Sequence, residues 1–147
     1  YFDKSLHYPG MPEFKGRILK LLKQPGVEWC GRVGQAKLAE ELNHSTHWLY
    51  PPHDFRETCC ISAMEMQAAG VLCFYRANGA LGETVGDRGV PIPLNAKNSR
   101  VLKLLTIPHA RKLLLLSKGR DWAEGQTWQA KAGDLLSALK EGLDEQR

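Results

Sequence analysis

Eight basic side chains stand between positions 88 and 120 with no acid among them: Arg88, Lys97, Arg100, Lys103, Arg111, Lys112, Lys118 and Arg120. The flanks differ. Residues 1–87 carry nine basic and ten acidic side chains, and residues 121–147 carry three and six. A cationic stretch between near-neutral neighbours suits a polyanion, whose phosphates such side chains neutralise. Upstream lie Arg56, Thr58, Ser62 and Gln67, residue types that hydrogen-bond base edges, followed by Arg76, Asn78 and Arg88. Against that, Asp54, Glu57 and Glu65 share the 54–69 stretch with a single arginine. His44, His47, His53, Cys59 and Cys60 fall within 17 residues and are all potential zinc ligands. Their spacing matches no standard finger or ribbon, so loop histidines and packed thiols are the plainer account, and no metal or other cofactor is expected. The four cysteines, Cys30, Cys59, Cys60 and Cys73, include no C-x-x-C pair and read as reduced thiols. No Gly-rich phosphate loop with its lysine, nucleophile elbow or H-E-x-x-H is present, so this stretch of chain is expected not to be an enzyme.

These side chains must be positioned by elements that the hydropathy pattern outlines. Residues 1–13 read as an arm or linker with Pro9 and Pro12. Phe14, Ile18, Leu21 and Leu22 recur at helical spacing until Pro25-Gly26 ends the pattern. Val27 to Val33 suggests a short extended segment. Gln35 to Asn43 is an amphipathic helix, and 44–53 is a polar and aromatic loop with Pro51 and Pro52. Asp54 is placed to cap a helix running to Ala69, with Glu57 in the capping-box position and Gly70 as its stop. Val71 to Tyr75 is β-rich, and Asn78-Gly79 is a hairpin-turn signal. The return strand lies in 80–85 or 90–94, where Pro91 and Pro93 would confine it to a sheet edge. Helices are expected again over Ser99 to Leu116, interrupted at Pro108, and over Trp128 to Leu143.

The order helix, short strand, short helix, loop, helix, then hairpin resembles the winged helix-turn-helix superfamily over roughly residues 14–94. Two stretches carry the likeness: Leu38, Ala39 and Leu42, similar to the small-residue face of its first helix, and Ala63, Met66, Ala69, Gly70, Val71 and Leu72, similar to a recognition helix passing into a wing. The central loop, from His44 to His53, is longer than the usual tight turn. The resemblance implies a mainly α fold with a small β-hairpin, followed by a basic helical extension over 97–147. It also implies duplex DNA as partner, met by Arg56, Thr58, Ser62 and Gln67 on the helix, by Arg76, Asn78 and Arg88 at the wing, and by Lys97, Arg100, Lys103, Arg111 and Lys112 along phosphates. A regulator, or a replication or transfer factor, is the expected parent protein. The alternative is a protein-interaction adaptor, anchored by Trp48, Tyr50 and the aromatic arm of Tyr1, Phe2 and Tyr8. RILKLLKQPG at 17–26 is echoed by RVLKLLTIPH at 100–109, which suggests a second related module or simply two Leu/Lys-rich amphipathic helices.

The 147 residues, 43% hydrophobic and 24% charged, fit one compact domain or little more. The longest strictly aliphatic run is Leu113 to Leu116, far short of the ~20 residues that cross a bilayer. A cytoplasmic protein, or a nuclear one in a eukaryote, is expected. The chain begins at Tyr1 and reads as a piece of a longer polypeptide.

Overall fold

The computed structural model describes residues 10–50, 56–93 and 98–144. It divides into two units, residues 1–35 and 36–147. In the first unit, α1 spans Met11–Leu21 with Pro12 in its opening turn, where a missing N–H costs nothing. Beyond it the backbone turns through Gly26 at φ +81°. The expected strand over 27–33 is absent from these described residues.

The second unit is mainly helical around a small sheet. Its elements are α2 (Gln35–His44), β1 (His47–Tyr50), α3 (Ile61–Ala68), β2 (Leu72–Tyr75), α4 (Leu81–Thr84), a 3-10 turn at Gly86–Arg88, β3 (Val90–Pro91), α5 (Asn98–Leu104), α6 (His109–Glu124) and α7 (Trp128–Asp144). The strands lie in the order β1-β2-β3, and both pairings are parallel. Trp48 faces Cys73 across the first pair, and Phe74 faces Val90 across the second.

This topology corrects the expected hairpin. Asn78-Gly79 does adopt a turn conformation, with Gly79 at φ +62°, but the chain then crosses through α4 to a parallel strand. The reason lies in β2. Every residue from Leu72 to Tyr75 is buried, and a strand covered on both faces belongs to a parallel sheet flanked by helices, not to an exposed wing. The 44–53 stretch, expected as a loop, contains β1. The helix expected from Asp54 begins instead at Ile61; Asp54 lies outside the described residues, and Glu57 pairs with Gly79 in an isolated bridge rather than capping a helix. Gly70 stops α3 as expected, at φ +72°. β3 does lie at a sheet edge, where its Pro91 is tolerated, while Pro93 lies beyond the strand.

Alternation along the strands splits the core in two. One face sends Val71, Cys73 and Tyr75 against Leu42 of α2, Ala63 and Met66 of α3, and Leu81 and Val85. The other sends Leu72, Phe74, Val90 and Ile92 against Leu115 of α6, with Val101 and Leu104 of α5 beside them. Helices α5 and α6 are therefore the second layer over the sheet. Among the described residues no helix is long and apolar enough to cross a membrane.

Candidate functional site

Parallel strands align their carboxyl ends, so the last residues of β1, β2 and β3 lie along one rim. Tyr50 closes β1, Arg76 follows β2, and Ile92 follows β3. The main chain ties them together: Arg76 N donates to Tyr50 O at 3.4 Å, and Ile92 N donates to Tyr75 O at 2.7 Å. Beyond the strands, Ala80 N donates to Glu57 O at 2.8 Å, and Glu57 and Gly79 pair as a parallel bridge. A Cβ on Gly79 would stand 2.2 Å from Glu57 O, so only glycine lets these loops touch. Thr84 Oγ1 donates to Cys59 O at 2.8 Å and holds the approach to α3. There Cys60 sits at φ 56°, the one described non-glycine residue in the left-handed region.

The side chains of this rim are polar and coupled. Tyr50 OH donates to the Glu57 carboxylate, while its ring stacks on Trp48 at 4.9 Å between centroids and 7° between planes. That hydrogen bond, followed by burial, pushes the Tyr50 phenol up to about 12. Arg76 is 6% exposed, a guanidinium withdrawn from solvent at the end of the central strand, and Asn78 is half-buried nearby in sequence.

The shift has a direction with a measurable consequence. Because the folded phenol ionises later than the unfolded one, its contribution to stability is complete below about pH 10 and is lost as pH rises toward about 12. Tyr50→Phe removes that component. Its urea midpoint is expected to decline less steeply than the parent's across this window, and an unchanged slope would show the pair to be inert.

At the amino ends of β2 and β3 the polar groups serve the fold. Gln67, 2% exposed, donates to Ala63 O at 3.0 Å and Thr84 O at 2.8 Å. Arg88 Nε donates to Gln67 Oε1 at 3.2 Å, and its guanidinium lies 4.2 Å over the Trp122 ring. Lys118 holds Asp87 at 2.8 Å and keeps that carboxyl below its usual range. His47 lies 5.5 Å from the Phe74 ring, and burial, with the Lys112 ammonium adding to it, lowers its pKa.

The residues expected to contact nucleic acid are thus divided. Arg56, Thr58 and Ser62 are exposed before and on α3; Lys103 on α5 and Arg111 on α6 are exposed, and Lys112 is half-buried. Gln67 and Arg76 are buried and Arg88 retains 15% side-chain exposure, so these three lie within the packed unit. Lys97 and the Arg100 side chain lie outside the described residues. Within the cationic run, Arg88 packs over Trp122, Lys118 is paired with Asp87, and the Arg120 guanidinium lies beside Gly70. Among the described residues no three His, Cys, Asp or Glu side chains converge as a metal site; His53 lies outside them. The free thiols range from exposed Cys30 and Cys59 to buried Cys73, whose pKa burial pushes up to about 12.

Sequence reasoning did not bring Tyr50 and Glu57 together as a site. Their seven-residue separation carries no helical or hairpin meaning, and only parallel pairing places the end of β1 beside the loop after β2. Away from this rim, a concavity of about 420 Å³ opens between the outer side of α3 (Ile61, Met64, Ala68) and the α6–α7 junction (Ala123, Trp128). Compared with known proteins, the chain matches no family model and no curated sequence.

Proposed function

We propose that residues 47–93 form a binding unit for a mononucleotide-class ligand, seated at the carboxyl ends of the three parallel strands. The observation that carries this reading is the β1-α3-β2-α4-β3 order with all pairings parallel. That βαβαβ arrangement is the recurring mononucleotide-binding half of doubly wound sheets, whose ligands lie outside the carboxyl ends of the strands. The warrant is architectural analogy. It is joined by the chemistry of the rim. The Glu57 carboxylate keeps acceptor capacity beyond its bond to Tyr50 and suits a ligand hydroxyl such as a ribose presents. Arg76 gives the same end of the sheet a positive field favourable to phosphate. Positions 51–60 contain no glycine, so the phosphate would not be held by a Gly-rich first turn.

A second reading, binding of duplex nucleic acid, is favoured by one observation: Lys103 and Arg111 are exposed within the acid-free stretch from 88 to 120. It retains Arg56, Thr58 and Ser62 as accessible donors but does without an antiparallel wing.

One experiment separates the two. Calorimetric titration with purine and pyrimidine nucleoside mono- and diphosphates is expected to give saturable binding for at least one of them, weakened roughly tenfold or more in Glu57→Gln. Titration with a mixed-sequence duplex is expected to give no saturable binding. Silence from every nucleotide, with duplex binding that falls steeply with salt, would reverse the order of these readings.

A further inference from the structure

Helix α7 is left without cover. Every residue from Trp128 to Leu143 is exposed, including Trp128 at 85%, Leu135 at 62% and Leu139 at 54%. Both faces of the sheet already have their helices. The exposed apolar side chains are not scattered. Trp128, Ala132, Leu135, Leu139 and Gly142 follow the alternating four-and-three spacing of a coiled-coil seam, with Leu136 and Leu143 flanking it.

We propose that this seam docks on a second copy of the chain, the two α7 helices running antiparallel. The seam is complementary to itself in that orientation. Leu135 falls opposite the partner's Leu139, and Leu139 opposite the partner's Leu135. Ala132 falls opposite the partner's Gly142, small against small, which lets the backbones approach at both ends. Each contact occurs twice, as an isologous twofold interface requires. Leucines occupy the middle of this overlap and small residues flank them, with Trp128 one layer further out.

The area is adequate. Trp128, Leu135, Leu136, Leu139 and Leu143 are each more than half exposed. At roughly 100 Å² apiece, two copies would withdraw on the order of 1,000 Å² from water, the lower bound for a specific association. Charge favours the same occupant over a lipid surface. The α7 sequence carries Lys131 and Lys140 against Asp134, Glu141 and Asp144, with Lys131 and Asp134 3.3 Å apart. With charges of both signs and one acid in excess, the helix offers opposite charges to a second copy and is not drawn to anionic headgroups, as a basic one would be.

The test is sedimentation equilibrium of the full chain across about 1–200 µM, since dimerisation makes apparent mass depend on concentration. Wild-type mass is expected to rise toward twice that of the monomer. Leu135→Asp/Leu139→Asp is expected to stay monomeric throughout, with an unchanged circular dichroism spectrum and, at concentrations where wild type is monomeric, an unchanged melt, because both positions are exposed. Leu113→Asp, at an exposed leucine on α6 outside the seam, is expected to dimerise as wild type does. The proposal is overturned if the wild-type chain stays monomeric, if the double variant dimerises equally, or if Leu113→Asp abolishes the dimer. It is also overturned if a monomeric chain pellets through α7 with vesicles of phosphatidylcholine and phosphatidylserine.

Discussion

Phe74→Ala is expected to destabilise the chain by about 3–5 kcal/mol, enough to leave much of it unfolded at physiological temperature. Phe74 is 0% exposed and lies on the central strand, with Leu49 opposite it on one side and Val90 on the other. Its ring fills the layer between the sheet and Leu115 of α6. Truncation removes the dispersion contacts of the ring and leaves a void that neighbours on two other strands cannot close without shifting the parallel register. The measurement is a urea titration followed by far-ultraviolet circular dichroism. Leu113→Ala, at an exposed site, serves as reference and is expected to cost less than about 0.5 kcal/mol. Similar midpoints for the two variants would mean that the described core does not carry the fold.

Gly79→Ala is the second large effect, and it comes from backbone rather than core. The new Cβ would lie 2.2 Å from Glu57 O and 2.9 Å from Glu57 N, both main-chain atoms that cannot rotate away. At φ +62° the alanine would also bear left-handed strain. Strain of about 1–2 kcal/mol and overpacking of about 1–3 kcal/mol together predict a loss near 3 kcal/mol, or roughly a 10 °C fall in Tm. The Ala80 N–H would lose its Glu57 acceptor, and Glu57 would be displaced from Tyr50. Any ligand bound at this rim is therefore expected to be lost together with stability. Gly82→Ala is the control: its Cβ would meet nothing within 4 Å, so its melt should stay close to wild type. A Gly79→Ala melt matching that of Gly82→Ala would dissolve the argument that the loops meet there.

Local features of the fold were legible in the sequence, and long-range ones were not. Helices α2 and α7 followed from three-and-four spacing, and Gly70 from the end of an apolar helical pattern. β2 was visible as a β-rich run. Its parallel pairing was missed because Asn78-Gly79 drew the reading toward a hairpin. The conformation implied by that dipeptide is real, since Gly79 is at positive φ, but it serves a close approach to Glu57 rather than a reversal between adjacent strands. The informative signal was the lack of alternation from Val71 to Tyr75, which marks a strand buried on both faces. Among the candidate site residues, those placed by residue type and by the resemblance divided by burial. Gln67, Arg76 and Arg88 proved interior because nothing in their spacing reports which side of an element meets the core. The Tyr50–Glu57 pair was unreadable for a related reason, since parallel neighbours are joined through distant connections that leave no local period.

The placement of α5 and α6 over the second side of the sheet bears on how the protein emerges from a ribosome. All three strands have been made once Pro91 is in place, yet Leu72, Phe74 and Val90 have no apolar lid until the α6 segment around Leu115 follows. For that interval a nascent chain presents a greasy, half-built slab with open hydrogen-bonding edges, the state in which chains adhere to one another. How quickly residues 92–124 emerge then bears on yield, even though no described residue among them belongs to a strand.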